Sequence, residues 1–225
     1  MSKQESRKVN FVYYLLITIH YLLITGCSDQ NPSDRLINPI PKGATNTTQW
    51  STKPWVIYDD ELKTGGGMMY YSSSDGQKLD FASTENPRSG TKCIKYSWNG
   101  NSVYDYGRQI WQKDWCGWGI ISGKDWTSYD TSSRDLSESG YTKIVFWVRG
   151  NIDSNTTIKF EGPVREDKGG TDFIRLTSAG LTSSWQQKEI SLSGTDLSDV
   201  KDFFKVIFEK GAGGTVYIDD IQYTR

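Results

Sequence analysis

From Trp55 to the C-terminus, apolar side chains recur at every second position in short runs, and clusters of Gly, Ser, Asn and Asp separate the runs. A two-residue period places alternate side chains on opposite faces of a strand, and the clusters supply turn residues. Helical period is nearly absent. In 142–150 (TKIVFWVRG), Ile144, Phe146 and Val148 share one face while Val145, Trp147 and Arg149 share the other, so at least one face is buried. The same reading predicts strands at 93–98, 156–161, 172–177, 187–192, 203–209 and 215–223. Between the last two lies Lys210-Gly211-Ala212-Gly213-Gly214, whose glycines can take the positive φ of a tight hairpin. The two strands are therefore expected to pair antiparallel. Strands without helices bury their alternating faces as two packed antiparallel sheets, so the predicted fold class is all-β: a β-sandwich or jelly roll in a single domain over 51–225. No internal repeat is found.

The N-terminus follows different rules. Lys3, Arg7 and Lys8 precede a mostly apolar run over 9–25, interrupted by Asn10 and His20. This is the layout of an export signal, and it is shorter and more polar than the roughly 20 apolar residues of a good transmembrane helix. Ile24-Thr25-Gly26-Cys27 resembles the bacterial lipobox. That resemblance implies removal of 1–26, lipidation of Cys27 and stable attachment to a membrane surface. An uncleaved anchor is the alternative. Ser28 after the cysteine is similar to the outer-membrane sorting variant, so the expected location is the bacterial outer membrane, lipid-anchored, periplasmic or surface-exposed. Residues 27–50, rich in Asn, Pro, Ser and Thr, read as a polar tether.

Counting excludes several chemistries. The one histidine, His20, lies inside the export segment, so the mature chain has none. Histidine-based triads, an H-E-x-x-H zinc site and an imidazole general base are all ruled out. Loss of Lys3, Arg7, Lys8 and Glu5 takes the formal charge from -1 to -3. A mildly acidic domain with scattered Lys and Arg offers no footprint for nucleic acid, and neutral ligands fit better. The Gly65-Gly66-Gly67 run lacks a following G-K-S/T and is no phosphate loop.

Three longer stretches carry a family resemblance: WVIYDDELKTGG, DLSESGYTKIVFWVRG and SSWQQKEISLSGTDLSDVKDFFKVIFEKGAGGTVYIDDIQY. Together they resemble the galactose-binding-like carbohydrate-binding modules, particularly those similar to family 11. The resemblance implies a jelly roll, a concave face that receives a glycan chain, and a structural calcium ion. The ligand does not follow from it, because one fold hosts many functions.

Independently, the segment 104–129 (YDYGRQIWQKDWCGWGIISGKDWTSY) holds four Trp and three Tyr. Pyranose rings present apolar C–H faces and polar edges, so flat aromatic rings supply contact area while polar side chains hold hydroxyls. Tyr106, Trp111, Trp118 and Trp126 are the candidate platform, with Arg108, Gln109 and Asp125 as hydrogen-bonding groups. Burial in a sandwich core is the competing fate of each Trp. Trp147 and Trp185 are read as core.

Asp59, Asp60 and Asp219 form a second constellation, since the first and last strands of such a fold come together and carboxylate oxygens suit a hard cation such as calcium. An Asp-Asp pair at a strand end is equally a turn signal. Cys93 and Cys116 could form one bridge in an exported protein, or remain two buried thiols. The expected function is binding of a polysaccharide or oligosaccharide without cleavage, concentrating glycan for degrading enzymes or transporters. One alternative is a glycoside hydrolase or polysaccharide lyase recruiting Glu161, Glu166, Asp167 or Asp172. Another is a protein-binding scaffold or adhesion subunit, whose aromatic patch would be flat.

Overall fold

The computed structural model describes residues 53–63, 68–71, 76–101, 103–105, 110–112, 115–122, 133–163 and 169–225, and for 68–71, 103–105 and 110–112 the backbone course. These residues fall within the compact unit Gln49–Arg225. The segment read as an export signal, Cys27 and the stretch read as a tether lie outside them.

Among the described residues there are fourteen strands: β1 (Trp55–Asp59), β2 (Glu61–Leu62), β3 (Met68–Tyr71), β4 (Gln77–Ser83), β5 (Cys93–Trp98), β6 (Val103–Asp105), β7 (Ile110–Gln112), β8 (Cys116–Ile121), β9 (Lys143–Ile152), β10 (Thr157–Glu161), β11 (Phe173–Thr177), β12 (Gln186–Ser191), β13 (Asp202–Lys210) and β14 (Gly214–Thr224). One sheet of seven strands runs β12-β9-β14-β1-β2, with β5 also on β14 and β4 on β5. A second sheet of five strands runs β11-β10-β13-β8-β3, and β6 and β7 form a separate ribbon. Every pairing between these strands is antiparallel, so the fold is the predicted all-β sandwich. The first and last strands do come together, with Trp55 opposite Tyr223.

Alternation explains the layering. Ile144, Phe146 and Val148 of β9 and Ile94, Tyr96 and Trp98 of β5 face inward from one sheet, while Ile158 and Phe160 of β10 and Val206 and Phe208 of β13 do so from the other. Phe146 meets Phe160 across the two sheets at 4.8 Å between ring centroids. Each fully buried side chain of this size contributes about 1.5–3 kcal/mol, so this interface carries the stability.

One expected pairing is corrected. β13 and β14 do not form a hairpin: they belong to different sheets. The glycine-rich connection crosses the edge of the sandwich and is pinned to the turn between β9 and β10. Gly213 donates its N–H to Thr156 Oγ1 at 3.0 Å, and its carbonyl accepts from Asp153 N at 3.0 Å. A Cβ on Gly213 would lie 2.1 Å from the Trp98 carbonyl oxygen, and its φ is 101°. The glycines serve a close crossing of backbones rather than a two-stranded turn.

Candidate functional site

The outer face of the five-stranded sheet is built from the positions between its core residues. Register aligns Phe173 with Glu161, Glu161 with Lys205 and Lys205 with Gly119 in one row. Arg175, Lys159, Ile207 and Gly117 form the next row. Across these rows six charges alternate in sign. Arg175 holds Glu209 through two bonds, at 2.7 and 3.0 Å. Glu209 lies 3.7 Å from Lys159, and Lys159 lies 3.8 Å from Glu161. Glu161 lies 3.6 Å from Lys205, which is 3.3 Å from Asp202.

Lys159, Glu161 and Lys205 are 8%, 3% and 3% exposed, on the side of the sheet turned away from the core. Burying a lone charge costs several kcal/mol, and alternation gives each of the three two opposite neighbours, which offsets that cost. The three cations and three anions leave the line formally neutral. At its β11 end, Arg175 is exposed and its guanidinium lies 4.5 Å from the centroid of the half-buried Phe173 ring.

None of the expected platform residues is placed on this face among the described residues. Trp118 is a correction. It is 1% exposed and packs inward against Phe81 at 5.2 Å, Tyr96 at 6.1 Å and Phe204 at 6.4 Å. Within β8 the inward positions are Cys116, Trp118 and Ile120, and the outward ones are Gly117 and Gly119, over which the side chains of Ile207 and Lys205 lie. Trp111 is on β7, whose backbone pairs it with Tyr104. Tyr106, Arg108, Gln109, Asp125 and Trp126 lie outside the described residues. Both ends of β8 lead into the stretches that carry them.

The line itself was missed, Glu161 excepted, which had been considered only for catalysis. A Lys placed between Phe204 and Val206, or between Ile158 and Phe160, was the available signal.

Trp147 and Trp185 are also corrected. They lie on the outer face of the seven-stranded sheet, because they alternate with its inward residues or follow its edge. Arg88 lies 4.3 Å from the Trp147 ring centroid. Arg149 lies between Tyr217 at 3.7 Å and Trp185 at 5.1 Å. These rings are covered by guanidinium groups, an arrangement of cation–π contacts.

The expected calcium ligands close one loop, 84–92, against this same face. Asp60 Oδ1 accepts the amides of Thr91 and Lys92, both at 2.7 Å. Asp219 Oδ2 accepts those of Arg88 at 2.9 Å and Ser89 at 3.4 Å, and its Oδ1 accepts from Asp220 N. Asp220 in turn takes the Arg88 guanidinium at 2.6 Å. Asp60, Asn86 and Asp220 are the non-glycine residues with positive φ among those described, and all three belong to this closure. Gly90 is required there, since a Cβ would lie 2.2 Å from Asp60 Oδ2.

The amides of Lys92 and Thr91 hold the Asp60 carboxyl below its usual range, whereas burial and the neighbouring Asp220 push Asp219 up to about 6. Amide hydrogens already point at Asp60 Oδ1 and at both oxygens of Asp219. Asp59 takes no part in these bonds, and no group of three metal-ligating side chains gathers among the described residues. As arranged, the three carboxylates do not fit a shared calcium.

Cys93 and Cys116 are both buried free thiols, so the unbridged alternative holds. Cys116 faces the core and takes the Tyr96 hydroxyl at 3.1 Å. Cys93 alternates with Ile94 and lies under the 84–92 loop, 4.0 Å from the Glu85 carbonyl. The sheet stands between them.

No protein-family model matches the chain, and no curated protein matches it. Solved structures similar to it are carbohydrate-binding modules. A family 30 module shares 18% identity over 78% of this chain and 89% of its own, with a TM-score of 0.47. The family 11 module of a cellulosomal cellulase of Clostridium thermocellum shares 14% over 77% and 95%, with a TM-score of 0.43. A xylan-binding domain of family 22 from Paenibacillus barcinonensis shares 12% over 77% and 96%, with a TM-score of 0.41.

Proposed function

We propose that this domain binds a neutral polysaccharide along the outer face of its five-stranded sheet, without cleaving it, while Cys27 holds it by a lipid anchor at the bacterial outer membrane. The observation that carries this reading is the neutral line of alternating charges from Arg175 to Asp202, beside a β8 strand whose two ends enter the Trp- and Tyr-rich stretches. At the accessible ends of the line, the exposed Arg175 and the half-buried Glu209 and Asp202 offer sugar hydroxyls donors and acceptors, and the flanking aromatics, with the part of half-buried Phe173 that Arg175 leaves uncovered, supply apolar area for C–H faces. A line with no net charge gives no attraction to a polyanion.

Retention rather than cleavage is favoured by the state of Glu161 and Asp172, the two candidate carboxylates that are described; Glu166 and Asp167 lie outside the described residues. One oxygen of Glu161 faces Lys159 and the other faces Lys205, and Asp172 is buried at 1% exposure. A general acid and base need access to the scissile bond and to water.

The test is affinity electrophoresis of the protein through gels containing β-glucan, xylan or galactan, with alginate as the acidic control. Retardation by at least one neutral polymer, reduced in Phe173→Ala and Trp126→Ala with unchanged Tm, supports the reading. Retardation by none of them, or release of reducing sugar by the pure protein, overturns it.

A further inference from the structure

On the opposite sheet, β4, β5 and the loop after β4 enclose a groove of about 570 Å³. That volume is within the roughly 300–1,000 Å³ typical of small-molecule sites. Its floor is two cross-strand pairs, Lys78 with Ser97 and Asp80 with Lys95. Ser97 and Lys95 are paired on their other side with Thr215 and Tyr217 of β14. Glu85 forms the wall, receiving Lys95 Nζ at one oxygen and the Tyr217 hydroxyl at the other, 2.5 Å away. The Lys95 and Tyr217 bonds hold the Glu85 carboxyl below its usual range, so it stays an acceptor.

We propose that this groove binds a single neutral sugar unit through its hydroxyl groups, as a site separate from the one on the five-stranded sheet. Three features select that chemistry. Two lysines and two carboxylates line the groove, so its formal charge is zero and an ionic ligand gains nothing overall. Across the floor a lysine stands opposite a serine and an aspartate opposite a lysine, so donors and acceptors lie side by side, and the hydroxyls of a sugar ring each donate and accept. Two groups also remain available: Lys78 makes no ion pair among the described residues, and Asp80 uses Oδ1 for the Ala82 amide at 2.8 Å, keeping Oδ2 for a ligand. Leu79, between them on β4, packs against the core on the other face and leaves the floor polar. The neighbouring Tyr217 ring is covered by Arg149, so binding here is by hydrogen bonds rather than by stacking, and weak.

The test is two-dimensional amide NMR of the full chain in detergent, titrated separately with D-glucose, D-galactose, D-xylose and D-glucuronate. Saturable shifts at 78–80 and 95–97 with a millimolar Kd are expected for at least one neutral sugar. Asp80→Ala should weaken that Kd about tenfold, the loss of one charged hydrogen bond, with Lys78→Met as the second variant and Tm unchanged in both. No saturable shift with any neutral sugar, shifts unaltered in both variants, or binding of glucuronate alone would overturn the proposal. Phe173→Ala should leave these shifts intact, which separates this site from the polysaccharide face.

Discussion

Asp219 Oδ2 accepts the amide hydrogen of Arg88 at 2.9 Å, joining the last strand to a loop 131 positions earlier in the chain. The carboxylate is fully buried, and its pKa is raised from 3.8 to about 6 by burial and by Asp220. A raised folded-state pKa means that the native state binds the proton more tightly than the unfolded chain does. The stabilisation is complete below about 4 and is lost as pH rises through about 6. In chelator, Tm is therefore expected to fall between those two values, and Asp219→Asn should flatten the fall. A scan in which wild type and variant run parallel would refute the assignment.

The same carboxylates give a calcium test. Amide hydrogens occupy Asp60 Oδ1 and Asp219 Oδ2, so calcium should leave Tm at neutral pH within error of the chelated protein. A rise of several degrees, absent in Asp219→Asn, would show that the loop rearranges to admit the ion, since a bound ligand stabilises by mass action.

Cys93 and Cys116 should be slow to react. Burial is the largest influence on both, pushing Cys93 up to about 11 and Cys116 up to about 12, and the thiolate is the reactive species. Iodoacetamide labelling followed by mass spectrometry is expected to modify neither in the native protein and both after denaturation without reductant. A Cys93–Cys116 peptide in the non-reduced digest would contradict the placement on opposite sides of the sheet.

How far the chain could be read depended on which forces are local. Alternation located β5 at its observed limits and β9 to within two residues, because inward and outward positions are set within one strand. The order of strands is not local. Lys159 and Glu161 announce a charged outer face of β10, yet only the pairing of β10 with β13 brings Lys205 beside Glu161. The glycines of 211–214 were read for their φ, but what they serve is contact with Thr156 and Trp98, distant in sequence. For the aromatic segment, density did not distinguish platform from core. The alternation in Cys116-Gly117-Trp118-Gly119-Ile120 did carry the signal, since glycines outside leave the indole inside.

Trp118 should matter for stability rather than for ligand contact. Trp118→Ala removes a ring packed by three aromatics and is expected to cost about 3–5 kcal/mol in urea unfolding. Trp118→Phe should cost less than half as much. It keeps most of the packing and removes a buried indole N–H that has no hydrogen-bond partner among the described residues, a group whose desolvation is itself unfavourable. Equal losses in the two variants would mean that the N–H is satisfied.

Glu161 is the centre of the alternating line, and its removal separates attraction from burial. Glu161→Ala leaves Lys159 and Lys205, both more than nine-tenths buried, without their shared partner. Breaking one side of a buried pair costs about 3–5 kcal/mol. Replacing Glu161 and Lys205 together by Leu and Met removes one charge of each sign and leaves Lys159 on Glu209 at 3.7 Å. The double variant should therefore recover most of the stability lost by the single one, measured by urea unfolding. If the single variant unfolds at the wild-type midpoint, the charges are solvated and the line is no fixed floor. If the double variant is as unstable as the single, the packing of the Lys205 stem over Gly119, rather than its charge, holds the face together.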